Sequence, residues 1–532
     1  MDDGLSDPDE FEGATPRGPA QRGLTARALG GMLWTFSGTG VQAAAQLGTT
    51  MVLARLLRPA DFGLMGAAAV VIALSQIVSQ VGVGPAIIQR RELHPTHIRV
   101  ATTLSLALGL LLGAVVYFGA PLIAGFYRMP DVEPVLRGVA LLFPLDGLNT
   151  VARSILAREL RFRLYVAAEV GSFLLGYAPV GILLAWSGYG VWALVIANIT
   201  QVTLRVVTMY LAARHPLWPS FDRQASRELL SFGFGHSMAQ IGSVLSVQGD
   251  NMVVGRWLGS AALGVYGRAY GLMVMPASVF GRVVNRVLFP LMSQVQDEPK
   301  RLANAYERAS AIVALVSLPI SFFLWIMAPE FIRVILGPAW GAVVLPFRMF
   351  SISLLFRMSS KISDVCIKAA GEVYPRAVLT WIFAGLVVGG AIVGQQWGVG
   401  GVALAVSIAM GINWMSMAWL ARTVTGLSWS RFAAAHVPAA MLSGLVGISA
   451  AAAAHTARAA HLGTLASLAV AGVTAAAIMV AAFIVRPEPF LGQHGLWAYR
   501  LGRDFVHRRP GQMSSPTDEA ASLAGFGKAG SK

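Results

Sequence analysis

A single cysteine, Cys366, stands in 532 residues. That excludes a disulfide framework and any cysteine-rich metal site. Charge is scarce as well. Asp, Glu, Lys and Arg together make up 13% of the chain, about half the share of a soluble globular protein. Acidic residues are the scarcer sign, 26 against 41 basic. There is no His-Glu-x-x-His motif and no P-loop, and the only Asp-x-Asp is Asp7-Pro-Asp9 near the N-terminus. The outer loops expected between apolar segments, the longest near 123–134 and 329–340, are about a dozen residues each, too short to carry catalytic residues on a sizeable outer loop. These absences argue against an enzyme, and nothing in the sequence calls for a cofactor or a metal.

What the chain has instead is apolar surface. Hydrophobic residues make up 55%, and mean hydropathy is +0.63. Such a chain cannot keep its surface wet and reads as an all-α, multi-pass membrane protein. Fourteen segments are long enough to cross a bilayer: near 29–53, 62–85, 100–122, 135–152, 164–186, 190–212, 229–254, 263–288, 309–328, 341–366, 377–396, 398–420, 433–454 and 462–485. Residues 1–26 are polar, with no apolar core after a basic start, and read as a disordered cytoplasmic tail rather than a signal peptide. Residues 487–532 read as a second, partly disordered cytoplasmic tail.

The basic residues test this layout. With the N-terminus in the cytoplasm, tails and inner loops hold 27 of the 41, and outer loops hold six: Arg55, Arg58, Arg128, Arg256, Arg333 and Arg458. The asymmetry predicts both termini inside. It also explains the net charge of +15 by attraction to an anionic membrane surface, without nucleic acid.

The chain repeats itself at an offset near 200 residues. Leu53-Ala-Arg-Leu-Leu-Arg-Pro-Ala-Asp-Phe-Gly-Leu64 matches Val254-Gly-Arg-Trp-Leu-Gly-Ser-Ala-Ala-Leu-Gly-Val265. Arg55 pairs with Arg256, Leu57 with Leu258, Ala60 with Ala261 and Gly63 with Gly264. Six segments separate the copies, so both halves share one orientation, a transporter architecture. The expected organisation is an N-lobe over 27–214, a C-lobe over 215–425 and two further helices over 426–486. A substrate path is expected between the two pseudo-symmetric six-helix lobes.

Five short motifs occur in order. They are Ala54–Gly63; Gly188-Tyr-Gly-Val-Trp-Ala-Leu-Val195; Gly264-Val-Tyr-Gly-Arg-Ala-Tyr270 running into Arg286-Val-Leu-Phe-Pro-Leu-Met-Ser293; Leu336-Gly-Pro-Ala-Trp340; and Ala370-Gly-Glu372. Together they resemble the polysaccharide transporter branch of the multidrug/oligosaccharidyl-lipid/polysaccharide exporter superfamily, especially colanic-acid-exporter-like members, over about residues 27–425. The resemblance implies a V-shaped bundle in the bacterial inner membrane. It implies a flippase that moves undecaprenyl-diphosphate-linked oligosaccharide from the cytoplasmic to the periplasmic leaflet by alternating access. A polysaccharide polymerase and export machinery would be partners, and a proton or sodium ion could drive the cycle. A lipid II flippase and a cation-coupled multidrug antiporter of the same superfamily are the alternatives.

The polar residues within the apolar segments fit such a cargo. Thr35, Thr39, Gln42, Gln46 and Thr49 share one face of the first helix; Gln76, Ser79 and Gln80 share one of the second; His236, Gln240, Ser243 and Asp250 share one of the seventh. Amides and hydroxyls both donate and accept, as sugar hydroxyls do; hydrogen bonding between helices is the other reading. Arg205, Arg268, Arg282, Arg348, Arg357 and Lys361 also lie within apolar segments. A charge at the bilayer centre costs about 2.5–3.5 kcal/mol on the lenient scale, so each must snorkel, pair or face water. Arg357, Lys361, Asp364 and Lys368 form one stripe. Arginine suits phosphate oxygens, so these cations are candidates for the diphosphate, although Lys361 lies close enough to the interface to snorkel. Glu169, Asp250 and Asp364 are the candidate coupling-ion carboxylates; Asp364 could simply pair with Lys361 or Lys368, and Asp250 could be interfacial.

Overall fold

A computed structural model describes Gly38 and residues 40–79, 83–89, 93–216 and 218–507. Among the described residues there is no strand. Helix α1 (40–56) turns into α2 (Pro59–Ser79) through a two-residue break. Proline at the first helical position fits there because its missing N–H would have no partner, and the Asp61 carboxylate accepts from the Arg58 amide at 2.9 Å. Then follow α3 (Val83–Gln89), α4 (Pro95–Tyr127), α5 (Val132–Val139) and α6 (Leu142–Arg158). The next crossing is composite: α7 (Phe162–Ser172), a π-helical turn over Phe173–Tyr177, and α8 (Ala178–Trp186). Helix α9 (Val191–Ala212) closes the first half.

The second half opens with α10 (Arg223–Ser293), two arms joined at Gly259, whose φ of 87° only glycine adopts freely. It continues with α11 (Pro299–Ile326), α12 (Ala328–Ile335), a 3-10 turn over Pro338–Val343, α13 (Val344–Ile352), α14 (Leu354–Ala369), α15 (Val373–Gly394) and α16 (Gly398–Thr425). Helices α17 (Trp429–Ala459) and α18 (Thr464–Val485) pack on α11 and α12, with Gly447 letting α17 approach Phe322 and Ile326.

The protein is an all-α, multi-pass membrane protein. Among the described residues, nine helical stretches are long and apolar enough to cross a bilayer, one of them containing both α15 and α16. Fourteen was expected. The difference arises where segments are short or polar: α1 is described only from residue 40, the apolar part of α2 is Pro59–Ser75, and the arms of α10 do not qualify.

The hydrophobic packing shows how the halves meet. One core joins them: Leu53, Leu57 and Phe62 from the first half pack with Leu263, Tyr266, Trp340 and Phe347 from the second. Away from it the cores are separate. Val83, Ile87, Val100 and Val151 cluster within the first half, and Val284, Tyr306, Ile362 and Phe432 within the second. The halves are therefore fused at one end, although α3 also touches α10.

The fusion is a backbone contact between repeat-equivalent residues. A Cβ on Gly63 would stand 1.7 Å from the Ser260 carbonyl oxygen, and one on Gly264 1.8 Å from that of Pro59. Gly63 and Gly264 are 201 residues apart, as are Pro59 and Ser260. A reciprocal contact of this kind is what a twofold relation between the copies produces where they cross.

The segment read as a C-terminal tail begins with a helix, α19 (Pro487–His507), which packs on α11 and α17. Buried Glu307 accepts from Arg431 and faces His494 at 3.4 Å, and the Arg308 guanidinium lies 4.9 Å from the Trp497 ring centre.

Candidate functional site

Among the described residues, three cavities carry polar and charged linings. The first, about 190 Å³, is cationic. Helix α14 supplies Arg357, Ser360, Lys361 and Asp364, spaced so that all four reach one face; α15 adds Arg376 and Thr380, and α10 adds Ser243 and Ser246. Asp364 is engaged by Lys368 at 2.7 Å and by Arg376. Arg357 donates to the Tyr270 hydroxyl at 2.8 Å. Among the described residues, three cations and one carboxylate line the cavity, a set of net positive charge.

The other two cavities, about 290 and 270 Å³, meet at Gln46 and Arg268. One is lined by Thr49, Thr50, Phe62, Phe173, Tyr177 and Gln201 as well. The π turn explains two of these. Its wider ring sets Phe173 and Tyr177 one above the other, centres 5.3 Å apart and planes at 16°, both facing the cavity. Gly176 on the same turn lets α9 come close at Gln201. Arg268 lies over the Phe62 ring at 4.5 Å.

The remaining expected residues divide. Arg205 on α9 sits between two carboxylates, Asp146 at 3.1 Å and Glu169 at 3.5 Å. It lies one helical turn beyond Gln201 but lines none of these three cavities. Arg348 stands apart: its Nε donates to the Trp325 carbonyl at the end of α11. Asp250 is buried, since the α10 arms fold back at Gly259 and bring the Tyr266 hydroxyl to it at 2.6 Å. Gln42 is half-buried on α1 and lines none of the three cavities. Gln80, and the side chains of Gln76, Gln240 and Arg282, lie outside the described residues, as do Thr35 and Thr39.

Sequence reading passed over Asp146, Arg376, Phe173 and Tyr177. Asp146 was detectable as an acid inside an apolar run. Arg376 lies just outside the apolar segment that begins at 377, where a cation carries no membrane signal. The aromatic pair carried no signal that separates it from lipid-facing rings.

Helical halves joined through one core, with polar and cationic cavities between helices, form a fold that solved membrane proteins share. The lipid II flippase MurJ, solved in an inward-closed conformation, has a similar fold: it superposes with a TM-score of 0.69 over 86% of this chain and all of that one, at 14% identity. The chain belongs to the family described as "Polysaccharide biosynthesis protein", whose profile matches residues 52–345. Among curated relatives, the succinoglycan biosynthesis transport protein ExoT of Rhizobium meliloti (strain 1021) is 29% identical over 295 residues, 55% of this chain and 59% of ExoT. The lipopolysaccharide biosynthesis protein WzxC of Escherichia coli (strain K12) is 24% identical over 348 residues, 63% of this chain and 68% of WzxC. The chain thus matches little more than half of ExoT and about two thirds of WzxC.

Proposed function

We propose that the protein is a flippase for undecaprenyl-diphosphate-linked oligosaccharide. It moves repeat units from the cytoplasmic to the periplasmic leaflet by alternating access, for exopolysaccharide, capsule or O-antigen assembly. The observation that carries this reading is the cationic cavity of Arg357, Lys361 and Arg376. A diphosphate needs several cations at once, and guanidinium forks match its oxygens. Family membership and the transport role named for ExoT support the same reading. A multidrug antiporter for cationic drugs would be served poorly by a cavity of net positive charge. The likeness to MurJ is one of fold, so a lipid II cargo gains no support from it.

In this reading the lobes are 27–214 and 215–425, with 426–486 as an appended helix pair. The membrane is the bacterial inner membrane, both termini face the cytoplasm, and a polymerase with export machinery takes the product. The fused end then faces the periplasm, in keeping with the outer placement of Arg55, Arg58 and Arg256. Asp250 is the favoured coupling-ion carboxylate, because Glu169 and Asp364 are held by cations whereas Asp250 meets a phenol. Arg205 and Arg348 fall outside the proposed diphosphate site.

The test is deletion of the gene in its host, followed by analysis of surface polymer and of lipid-linked oligosaccharide in the cytoplasmic leaflet. Loss of polymer with accumulation of complete lipid-linked repeat units is expected, and Arg357→Ala with Lys361→Ala should fail to restore it. Normal polymer without accumulation, in a strain lacking any paralogue, would overturn the proposal.

A further inference from the structure

Arg55 and Arg256 are repeat-equivalent, yet the fold answers only one of them. Arg55 donates to the Val334 carbonyl at 2.9 Å. Among the described residues, Arg256 makes no hydrogen bond or ion pair; its guanidinium lies over two rings, Phe126 at 5.8 Å and Trp257 at 5.6 Å. Rings stabilise a guanidinium through their faces and leave its N–H donors unused. Arg137 on the neighbouring α5 shows the contrast. It lies over the Tyr117 ring at 5.6 Å but is also paired with Glu133 at 2.8 Å.

The two-ring clamp is firmly held and stands at a membrane surface. Phe126 is in the last turn of α4, one of the stretches apolar enough to cross a bilayer, so it lies at an interface, where aromatic rings and arginines collect. The adjacent Tyr127 is buried against Gly255, at which a Cβ would come 2.7 Å from the Tyr127 ring. That contact fixes the last turn of α4 on α10 and keeps Phe126 beside Arg256. From Phe126 back into the span, Leu122 and Phe118 follow at four-residue spacing, all three exposed on one apolar stripe. An apolar stripe with free guanidinium donors at its interfacial end has the shape of a phospholipid, phosphate above and acyl chain below.

We infer that Arg256, clamped by Phe126 and Trp257, is a binding site for an anionic phospholipid, with the lipid phosphate on the guanidinium and an acyl chain along Phe118, Leu122 and Phe126. The guanidinium fork matches phosphate oxygens. The rings orient it without using its donors, so little further ordering is needed when the lipid arrives. An anionic headgroup is favoured over a zwitterionic one, whose own ammonium competes for the phosphate. Both halves build the site, α4 from the first and α10 from the second, so a bound lipid adds to the contacts that hold the fused end together. The site depends on α4 ending at a membrane surface and not on the cargo; only its assignment to the periplasmic leaflet rests on the proposed topology.

The experiment places the full-length protein in nanodiscs of equal parts phosphatidylglycerol and phosphatidylcholine with matched acyl chains. A photoreactive benzoylphenylalanine replaces Leu122, which is 81% exposed, or, as the reference for bulk lipid, Val473 on α18, which is 70% exposed. Mass spectrometry of the cross-linked protein counts the two headgroups at each position. Phosphatidylglycerol should be enriched about fivefold at position 122 over position 473, the size expected for one arginine at a membrane surface. Arg256→Gln should bring position 122 to the bulk ratio, and Arg256→Lys should retain part of the enrichment. Arg137→Gln should leave it unchanged, because Arg137 is already paired. A bulk ratio at position 122 without any charge substitution overturns the inference. Enrichment that survives Arg256→Gln assigns the lipid to another cation, such as the exposed Arg128 at the cap of α4, and also overturns it. Neither result bears on the cargo, so the flippase reading stands or falls separately.

Discussion

The indole N–H of Trp340 donates to the backbone oxygen of Ala54 at 2.7 Å, across 286 residues of sequence. The Arg55 guanidinium makes a parallel bond to the Val334 carbonyl at 2.9 Å. Together they tie the turn between α1 and α2 to the second half. Any cycle that opens the fused end must break both. Trp340→Phe keeps a ring against Phe62 and removes one bond. A buried hydrogen bond is worth about 0.5–1.5 kcal/mol, so the open population should rise roughly two- to tenfold. Spin labels at exposed positions 58 and 333 would report it as a growing longer-distance component. Cys366 is fully buried, so labelling should be confined to the introduced cysteines.

The Gly63–Gly264 crossing leaves no room for a methyl group, and the opposing atoms are backbone carbonyls that cannot rotate away. Overpacking costs about 1–3 kcal/mol where side chains can yield; here the helices must separate. Gly63→Ala and Gly264→Ala should each lower the thermal midpoint of the purified protein, and by similar amounts because the contact is reciprocal. Gly119→Ala, with nothing within 4 Å, is the control and should leave the midpoint unchanged or slightly raised.

Asp364 both holds Arg376 and offsets the cationic cavity. Asp364→Asn removes one negative charge from the cavity while conserving shape. Undecaprenyl diphosphate should bind more tightly than to the unmodified protein, with a steeper loss of affinity as salt rises. Titrations at two ionic strengths decide this; weaker binding in the variant would mean that Asp364 acts by orienting Arg376 rather than through its charge.

Arg205 is shared by Asp146 and Glu169 at unequal distances. Either carboxylate alone leaves the guanidinium paired, so single amides should be mild and Asp146→Asn the more costly of the two. The double variant leaves a partly buried cation unpaired, and should cost more than the sum of the singles. Thermal denaturation of the four proteins forms the cycle. Simple additivity would show that the two carboxylates act independently.

Much of the site was legible in the sequence, for a definite reason. Arg357, Lys361 and Asp364 recur at helical spacing, and helical spacing alone puts them on one face; the structure brings all three to one cavity. Gln46 and Arg268 were legible as polar interruptions of apolar runs. What spacing cannot give is the neighbour across the gap. Arg348 looked like any other membrane arginine until α13 set it against the Trp325 carbonyl. Asp250 has no legible partner until the bend at Gly259 brings Tyr266 to it.

The sequence by itself determined that this is a helical, multi-pass membrane protein, and it carries matched landmarks about 200 residues apart. Hydropathy over some twenty residues is a local quantity, and matched landmarks such as Gly63 and Gly264 survive without any three-dimensional knowledge. Tertiary structure alone decided which cations are answered and which are not. Arg205 finds two acids, Arg357 a phenol, and Arg268 the Phe62 ring in a cavity shared with Tyr177. That depends on the crossing of helices that are distant in sequence, with a separation of 59 residues for Arg205 and Asp146 and of 87 for Arg357 and Tyr270. An isolated charge on a helix face reads the same along the chain whether its partner across the gap is a carboxylate, a ring or an open cavity.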